Sequence, residues 1–320
     1  MARQSIEHIA VIGAGTMGHG IAQSLAQVGY KVCLTDISNE ALKHALTKVK
    51  ANAKWSLKQN LITKHAFREL FSNLETQTER SKATRSAEFV IEAVFENPKL
   101  KKKIFAELDR TCNKETILAS NTSSIDMDDI ASETSRPENC VGMHWWNPPH
   151  LMPLVEVVRG KKTSARAIQL AKQVALRAGK TPVVCKNSPG LLGVRIQAAL
   201  LLESLRVLEE GLASPEEIDT AVKLTLGLRL PTMGPLRIAD LGGIDIFANA
   251  YEYLYHKLGR RFEPPRILRN MVARNMLGVK TRKGFYSYNQ RQIAKIVNER
   301  DNWTAKQLRA MLPLNSHRED

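Results

Sequence analysis

The sequence predicts an α/β domain built on a doubly wound parallel sheet, followed by an all-α C-terminal domain. Three observations predict it. Short apolar runs alternate with helix-spaced patterns up to about residue 186, as strands joined by crossover helices do. No strand pattern follows residue 186. The first apolar run, Ile9-Ala10-Val11-Ile12, ends in Gly13-x-Gly15-x-x-Gly18 and passes directly into a helical pattern. The expected boundaries are 1–186 for the sheet domain and 187–289 for the helical domain. Residues 290–320 read as a charged, weakly helical tail to which the sequence assigns no role.

The order strand, glycine turn, helix matters more than the glycines. Gly13 permits the tight turn, Gly15 lets the backbone approach a pyrophosphate, and Gly18 lets the helix pack against the strand. The helix N-terminus then offers free N–H groups and its positive dipole end to the phosphates. A second strand, Lys31-Val32-Cys33-Leu34-Thr35, ends in Asp36, eighteen residues after Gly18. An acidic side chain there accepts both ribose hydroxyls of adenosine and repels a 2′-phosphate. The expected cofactor is NAD rather than NADP, on a Rossmann-type sheet. The residues expected to hold it include Gly13, Gly15, Thr16, Met17, Gly18 and Asp36.

The bulk numbers narrow the classes of function. The 320 residues are enough for two domains, and 43% hydrophobic and 25% charged residues are ordinary for a globular chain. No run of eighteen apolar residues occurs, so no membrane span is expected. Met1 to Ser5 lead straight into the first strand, leaving no room for a signal or transit peptide, so the cytoplasm is the expected location. Cys33, Cys112, Cys140 and Cys185 are scattered without a CxxC pair, which suggests neither zinc nor a disulfide framework. The net charge of +15 comes from basic residues spread along the chain rather than gathered in a stripe, so no nucleic-acid partner is expected. A positive field suits an anionic small molecule, and a solvated basic surface accounts for the rest.

Ser38 is the expected N-cap of a helix through Glu40-Ala41-Leu42 toward Lys58. With the segment to about Leu70 it makes a long basic excursion, either a clamp for a substrate tail or a solvated helical pair. Glu88 to Val94 reads as a buried strand, followed by Phe95-Glu96-Asn97-Pro98 and a helix carrying Lys99, Lys101, Lys102 and Lys103. Such a run of lysines, taken alone, is a solvated face. Thr116 to Ala119 is the next strand and ends in Ser120-Asn121-Thr122-Ser123-Ser124. Strand ends at the carboxyl edge of an open parallel sheet are where ligands sit, although turn and capping chemistry uses the same residue types.

Val141 to Pro149 follows and contains His144; Leu154-Val155-Glu156-Val157-Val158 comes next. Glu156 stands twelve residues after His144 inside an otherwise apolar strand. A carboxylate in that setting needs a partner, because an unpaired buried charge is costly. His144 is the candidate, and a carboxylate beside it would hold one imidazole tautomer, as a general base requires. A helix of about fifteen residues and a strand at Thr181 to Cys185 complete the domain.

At Ser188-Pro189-Gly190 the texture changes. Ser as N-cap with Pro at the first helical position predicts a long helix from Leu191 to Glu210, closed by Gly211. Its Leu200-Leu201-Leu202, Leu205 and Leu208 make it too apolar for a surface helix, so it is expected at the centre of the helical domain and at a subunit interface. Ser214-Pro215-Glu216-Glu217 is a capping box for a helix ending at Gly227. Helices around Leu236 to Leu258 and Pro265 to Met276 lead to Gly278 through Tyr286.

Taken together, these residues resemble the L-3-hydroxyacyl-CoA dehydrogenase family over nearly the whole chain to about Tyr288. The motifs carrying the resemblance are Gly13-Ala14-Gly15-Thr16-Met17-Gly18, Glu92 to Asn97, Ser120 to Ser124, His144-Trp145-Trp146-Asn147-Pro148, Leu154 to Val157, Ser188-Pro189-Gly190, and Lys280 through Gly284-Phe285-Tyr286. The resemblance implies an NAD-binding domain, a helical domain that makes a homodimer, and a small-molecule substrate between them. It implies that His144 removes the proton of a secondary alcohol and that Glu156 orients the imidazole. Ser123 would hydrogen-bond substrate or nicotinamide ribose, and Asn147 would position the nicotinamide and the base. Glu96, Lys101 and Lys280 match positions that contact the cofactor.

Two departures bear on the substrate. Where the family reads Pro-Gly-Phe-x-x-Asn-Arg, this chain has Pro189-Gly190-Leu191-Leu192-Gly193-Val194-Arg195, so Val194 replaces an asparagine that meets substrate oxygens. Asn147-Pro148-Pro149-His150-Leu151-Met152-Pro153 also differs from the Asn-Pro-x-x-x-Met-Lys form of the acyl-CoA enzymes. It looks more like relatives acting on carnitine, L-gulonate or hydroxymethyl-pyridine carboxylates. The expected reaction is NAD-dependent oxidation of a 3-hydroxy group, first on a 3-hydroxyacyl-CoA and alternatively on such a free acid. A dinucleotide-binding protein without catalysis is the reading from another class.

Overall fold

Alternation of buried apolar runs with amphipathic helices sets the order of the first half of the chain. The computed structural model describes residues 6–311. It opens with β1 (His8–Ile12), α1 (Gly18–Ala26), β2 (Lys31–Thr35), α2 (Asn39–Lys58), α3 (Lys64–Asn73), β3 (Leu74–Gln77) and α4 (Arg80–Thr84). There follow β4 (Phe89–Glu92), α5 (Pro98–Thr111), β5 (Ile117–Ser120), α6 (Met127–Ala131), β6 (Cys140–Trp145), β7 (Leu154–Arg159), α7 (Ala165–Arg177) and β8 (Thr181–Lys186).

All eight strands make one sheet in the order β3-β2-β1-β4-β5-β6-β7-β8. Every neighbouring pair is parallel except β6 with β7. The doubly wound sheet is therefore as expected, with one antiparallel step near its end. The six strands between the edges β3 and β8 are buried on both faces, which is why they read as unbroken apolar runs rather than alternating ones. One core layer joins Ile9, Val11, Phe89 and Ile91 to Ile21 and Leu25 of α1 and to Val174 of α7. The other joins Ala10, Ile12, Val90 and Leu118 to Ile104, Phe105 and Leu108 of α5.

The expected Ser38 cap is present: its side chain accepts from the Ala41 amide and α2 begins at Asn39. The short strand β3 and the short helices α4 and α6 carry too few residues to announce themselves by periodicity.

Past β8 the described residues are helical: α8 (Leu192–Glu209), α9 (Pro215–Arg229), α10 (Pro235–Gly242), α11 (Ile244–Leu258), α12 (Arg266–Ala273) and α13 (Gln290–Met311). The expected capping box at Ser214 and Glu217 is formed. α9 runs past Gly227 to Arg229, the glycine being accommodated inside it. The start of α8 corrects the expectation more sharply. Gly190 and Leu191 have φ of 74° and 50°, both left-handed, so the helix does not open at Pro189. The Leu191 amide closes a turn on the Ser188 carbonyl at 3.0 Å, and the helix starts one residue later.

By contact density the described chain divides after Leu201 into two units. In the second, Asp240 is buried and accepts from the amides of Phe285 and Tyr286 and from the Tyr288 hydroxyl, tying the Gly284-Phe285-Tyr286 turn to α10. The charged tail contains the 22-residue helix α13, stronger than its sequence suggests. It lies against α9, with Gln307 Nε2 donating to the Leu228 carbonyl at 3.1 Å. The leucines of α8 are not buried within the chain: Leu201, Leu202 and Leu205 are 55%, 51% and 47% exposed. Among the described residues no helix is long and apolar enough to cross a membrane.

Candidate active site

The glycine turn can be tested by asking what a side chain would meet there. A Cβ on Gly18 would lie 1.7 Å from the Gly13 carbonyl oxygen, so helix and turn approach as only glycine permits. Gly13 has φ of +99°, and its missing Cβ leaves room for the carbonyl of Ala93, the residue just past β4. Around Gly15, by contrast, the space is open. That opening belongs to a cavity of about 420 Å³ lined by Gly13, Gly15, Thr16, Met17, Asp36 and Val94, among others. Asp36 Oδ2 accepts from the Ala14 amide at 2.8 Å, which locks the carboxylate onto the turn at the cavity wall. Ile37 and Phe95, each 87% exposed, flank the same cavity with apolar surface suited to a planar base. An α1 N-terminus, a side-chain-free approach at Gly15, a carboxylate and two apolar flanks together fit an adenine dinucleotide. Arg80 also lines this space, its guanidinium paired with Glu107, and nothing in the sequence pattern marked it.

A second cavity lies at the carboxyl ends of β4, β5 and β6. Met17, Glu96, Asn121, Ser123, His144, Trp146, Asn147, Val194 and Gln197 belong to its lining. His144 and Glu156 face each other directly in the antiparallel β6–β7 register. The His144 Nδ1 lies 2.7 Å from Glu156 Oε2, and the Glu156 side chain is wholly buried. The other carboxylate oxygen, Oε1, accepts from the amides of Leu192 and Gly193 at 3.1 and 2.8 Å. These are first-turn amides of α8, which have no partner within the helix and whose dipole favours an anion. Burial pushes the Glu156 carboxyl up, but the hydrogen bonds from His144 and from the Gly193 and Leu192 amides hold it below the usual carboxylate range. The carboxylate thus stays ionised, Nδ1 keeps its proton, and Nε2 is the imidazole nitrogen left for the cavity. Trp146 packs beside the imidazole at a ring-centroid distance of 5.3 Å, and Gly193 makes room for its indole.

Glu96 gathers the loop that follows β5. Its Oε1 accepts from Thr122 Oγ1 at 2.6 Å and from the amides of Ser123 and Ser124 at 2.9 and 3.0 Å. The Ser123 hydroxyl also reaches it, at a longer 3.3 Å, so that hydroxyl proton is the most easily given to another acceptor. Burial pushes the Glu96 carboxyl up, and the Thr122 hydroxyl, the Lys101 charge and those two amides bring it down to about 2.

The lysine run is not a solvated face at Lys101, whose side chain is only 1% exposed. Its ammonium donates to Glu92 Oε1 at 2.6 Å and to the Val94 carbonyl at 3.4 Å, and forms an ion pair with Glu96 Oε2 at 3.3 Å. Lys101 therefore touches the site through Glu96. Lys280 belongs to the second unit, where it pairs with Asp245 at 2.5 Å. Asn121, which the sequence marked only as part of a strand end, accepts from the Trp145 amide through Oδ1 at 2.8 Å and fixes the strand that carries His144.

Comparison with known proteins bears on these two cavities. Residues 8–188 match the family model for the NAD binding domain of 3-hydroxyacyl-CoA dehydrogenase, and residues 190–288 match that for its C-terminal domain. The chain belongs to the 3-hydroxyacyl-CoA dehydrogenase family. A 3-hydroxybutyryl-CoA dehydrogenase of Clostridioides difficile is 37% identical over 283 residues, covering 88% of this chain and 99% of that protein. A solved 3-hydroxyacyl-CoA dehydrogenase from Archaeoglobus fulgidus superposes with a TM-score of 0.79 at 36% identity, covering 95% of this chain and 98% of its own. A second solved member, 5-formyl-3-hydroxy-2-methylpyridine 4-carboxylic acid 5-dehydrogenase, described as an NAD+-dependent dismutase, superposes at 0.74 and 29% identity with the same coverage. The family's NAD-binding domain carries the glycine turn described above, and NAD is the cofactor.

Proposed function

We propose that this member of the family oxidises the 3-hydroxyl of an L-3-hydroxyacyl-CoA with NAD, of the 3-hydroxybutyryl-CoA type. The observation that carries the reading is the buried His144–Glu156 pair, with the remaining imidazole nitrogen available to the cavity. The dinucleotide, when bound on the glycine turn, supplies a hydride acceptor. His144 Nε2 takes the carbinol proton, and the imidazolium so formed is stabilised by Glu156. Ser123 accepts or donates a hydrogen bond at the carbinol oxygen, its weak link to Glu96 leaving it free to turn. Asn147, exposed beside His144, holds the nicotinamide side of the cavity. Glu96 and Lys101 shape that side from behind.

Val194 favours a second reading, since its isopropyl group stands in the wall of this cavity where an asparagine amide would meet substrate oxygens. In that reading the chemistry is the same and the substrate is a free hydroxy acid. One assay separates the two: NADH absorbance is followed with acetoacetyl-CoA, 3-hydroxybutyrate, carnitine, gulonate and an aromatic hydroxymethyl acid. Turnover of the thioester supports the first reading; turnover of free acids alone replaces it with the second.

Asp36 gives a cofactor test. Its carboxylate would oppose a 2′-phosphate at ribose distance, so Asp36→Ser is expected to lower the preference for NAD over NADP by about tenfold or more. An unchanged ratio of kcat/KM values would remove Asp36 from cofactor choice. The reading also includes a homodimer. The exposed leucines of α8 form an apolar stripe too long for a solvated helix, and a second copy of the chain is the partner that covers it. Light scattering is expected to give the mass of a dimer, and Leu205→Lys to shift it toward the monomer.

A further inference from the structure

Val194 and Gln197 stand one helical turn apart on α8, and both line the cavity that contains His144, Ser123 and Asn147. Val194 offers that cavity only methyl groups. A substrate entering it brings an acyl oxygen near the carbinol, and an oxygen stripped of water without a new partner costs binding and rate. Gln197 is exposed, and its carboxamide has no hydrogen-bond partner among the described residues.

Side chains three apart on a helix have Cβ atoms about 5–6 Å from one another and lean toward the helix N-terminus. The side chain of Gln197 is thus directed back over the turn that carries Val194. Being one methylene longer than asparagine, it can deliver a carboxamide to the space that a shorter amide at position 194 would occupy. The start of this helix is also pinned, because the Leu192 and Gly193 amides are bound to Glu156. Gln197 is therefore presented in fixed register with the imidazole.

We propose that Gln197 is a specificity residue of this site. Its carboxamide N–H donates to the acyl oxygen of the substrate, a thioester carbonyl or a free carboxylate two carbons from the carbinol, in place of the donor that Val194 lacks. The proposal rests on the reading of this cavity as the substrate site.

The test titrates acetoacetyl-CoA and acetoacetate separately into the NAD-loaded protein by calorimetry, where the oxidised cofactor cannot reduce them, alongside kcat/KM with NADH for whichever is reduced. Gln197→Leu is expected to weaken the bound compound by about tenfold, the worth of one hydrogen bond. NADH affinity and melting temperature should not change. Val194→Asn in the Gln197→Leu background should recover most of that loss, because it restores an amide to the same space. A loss seen with acetoacetyl-CoA assigns the oxygen to the thioester. A loss seen with acetoacetate, deepened by like charge in Gln197→Glu, assigns it to the carboxylate. Binding that Gln197→Leu leaves within about twofold on both compounds would overturn the proposal alone. Failure of the unmodified protein to bind either compound would overturn it together with the proposed function.

Discussion

His144→Ala is expected to lower kcat/KM for the oxidised alcohol by about 10²–10⁴-fold, the usual contribution of a positioned general base. NADH affinity should remain close to that of the unmodified protein, because Gly13, Gly15 and Asp36 line the other cavity, to which His144 does not belong. His144 Nδ1 is committed to Glu156 at 2.7 Å, and the side chain lies at the wall of a cavity shared with Ser123 and Asn147. A histidine that served only the core would have both nitrogens satisfied inside it. Stopped-flow NADH binding and steady-state turnover separate the cases. Loss of cofactor affinity along with turnover would make His144 a structural residue, and turnover within about tenfold would exclude it as the base.

How much of this was legible in the sequence depends on how local each feature is. The glycine turn and Asp36 were, because β1, turn, α1 and β2 are contiguous, and each glycine answers a steric demand a few residues away. The His144–Glu156 pair was legible in outline, since a carboxylate in an apolar strand calls for a partner. Its geometry was not. The direct register across β6 and β7 depends on the one antiparallel step of the sheet, and no residue pattern announces that step.

At Lys101 the residue pattern alone misleads, because a run of four lysines averages to a solvated face, and only the family resemblance singles that lysine out. One of them turns inward only because the buried Glu92 waits on β4, a contact made across the fold. The start of α8 was set too early because Ser-Pro is a strong local signal. The left-handed Leu191 that displaces it is buried, with its amide closed on the Ser188 carbonyl, a tertiary placement that its own propensity does not announce. Gln197 gave no signal at all. An exposed glutamine in a leucine-rich helix becomes notable only when the cavity it faces is known.

Glu156→Gln provides the second large effect and tests what the carboxylate does. The native group has two acceptor oxygens, one for His144 Nδ1 and one for the amides of Leu192 and Gly193. A carboxamide has one acceptor and one donor end. With its oxygen toward α8, its NH2 faces Nδ1. The imidazole must then carry its proton on Nε2, where it cannot accept another from the carbinol. With its oxygen toward His144, the NH2 opposes two helix amides. The first arrangement keeps the helix start intact, so the variant should fold with a rate loss of about 10²–10⁴-fold. Retention of rate within about tenfold would show that tautomer control is not the role of Glu156.

Acid stability gives an independent readout. The native carboxyl sits below its ordinary range, so Glu156 contributes stability that is fully present above the unfolded value of about 4.3. That contribution is lost as pH falls through the depressed native value. Urea midpoints measured down through this range should therefore drop more steeply for the unmodified protein than for Glu156→Gln, which has no proton to gain. Parallel curves would mean that the buried carboxylate does not report on folding, and that its hydrogen bonds to α8 form only weakly.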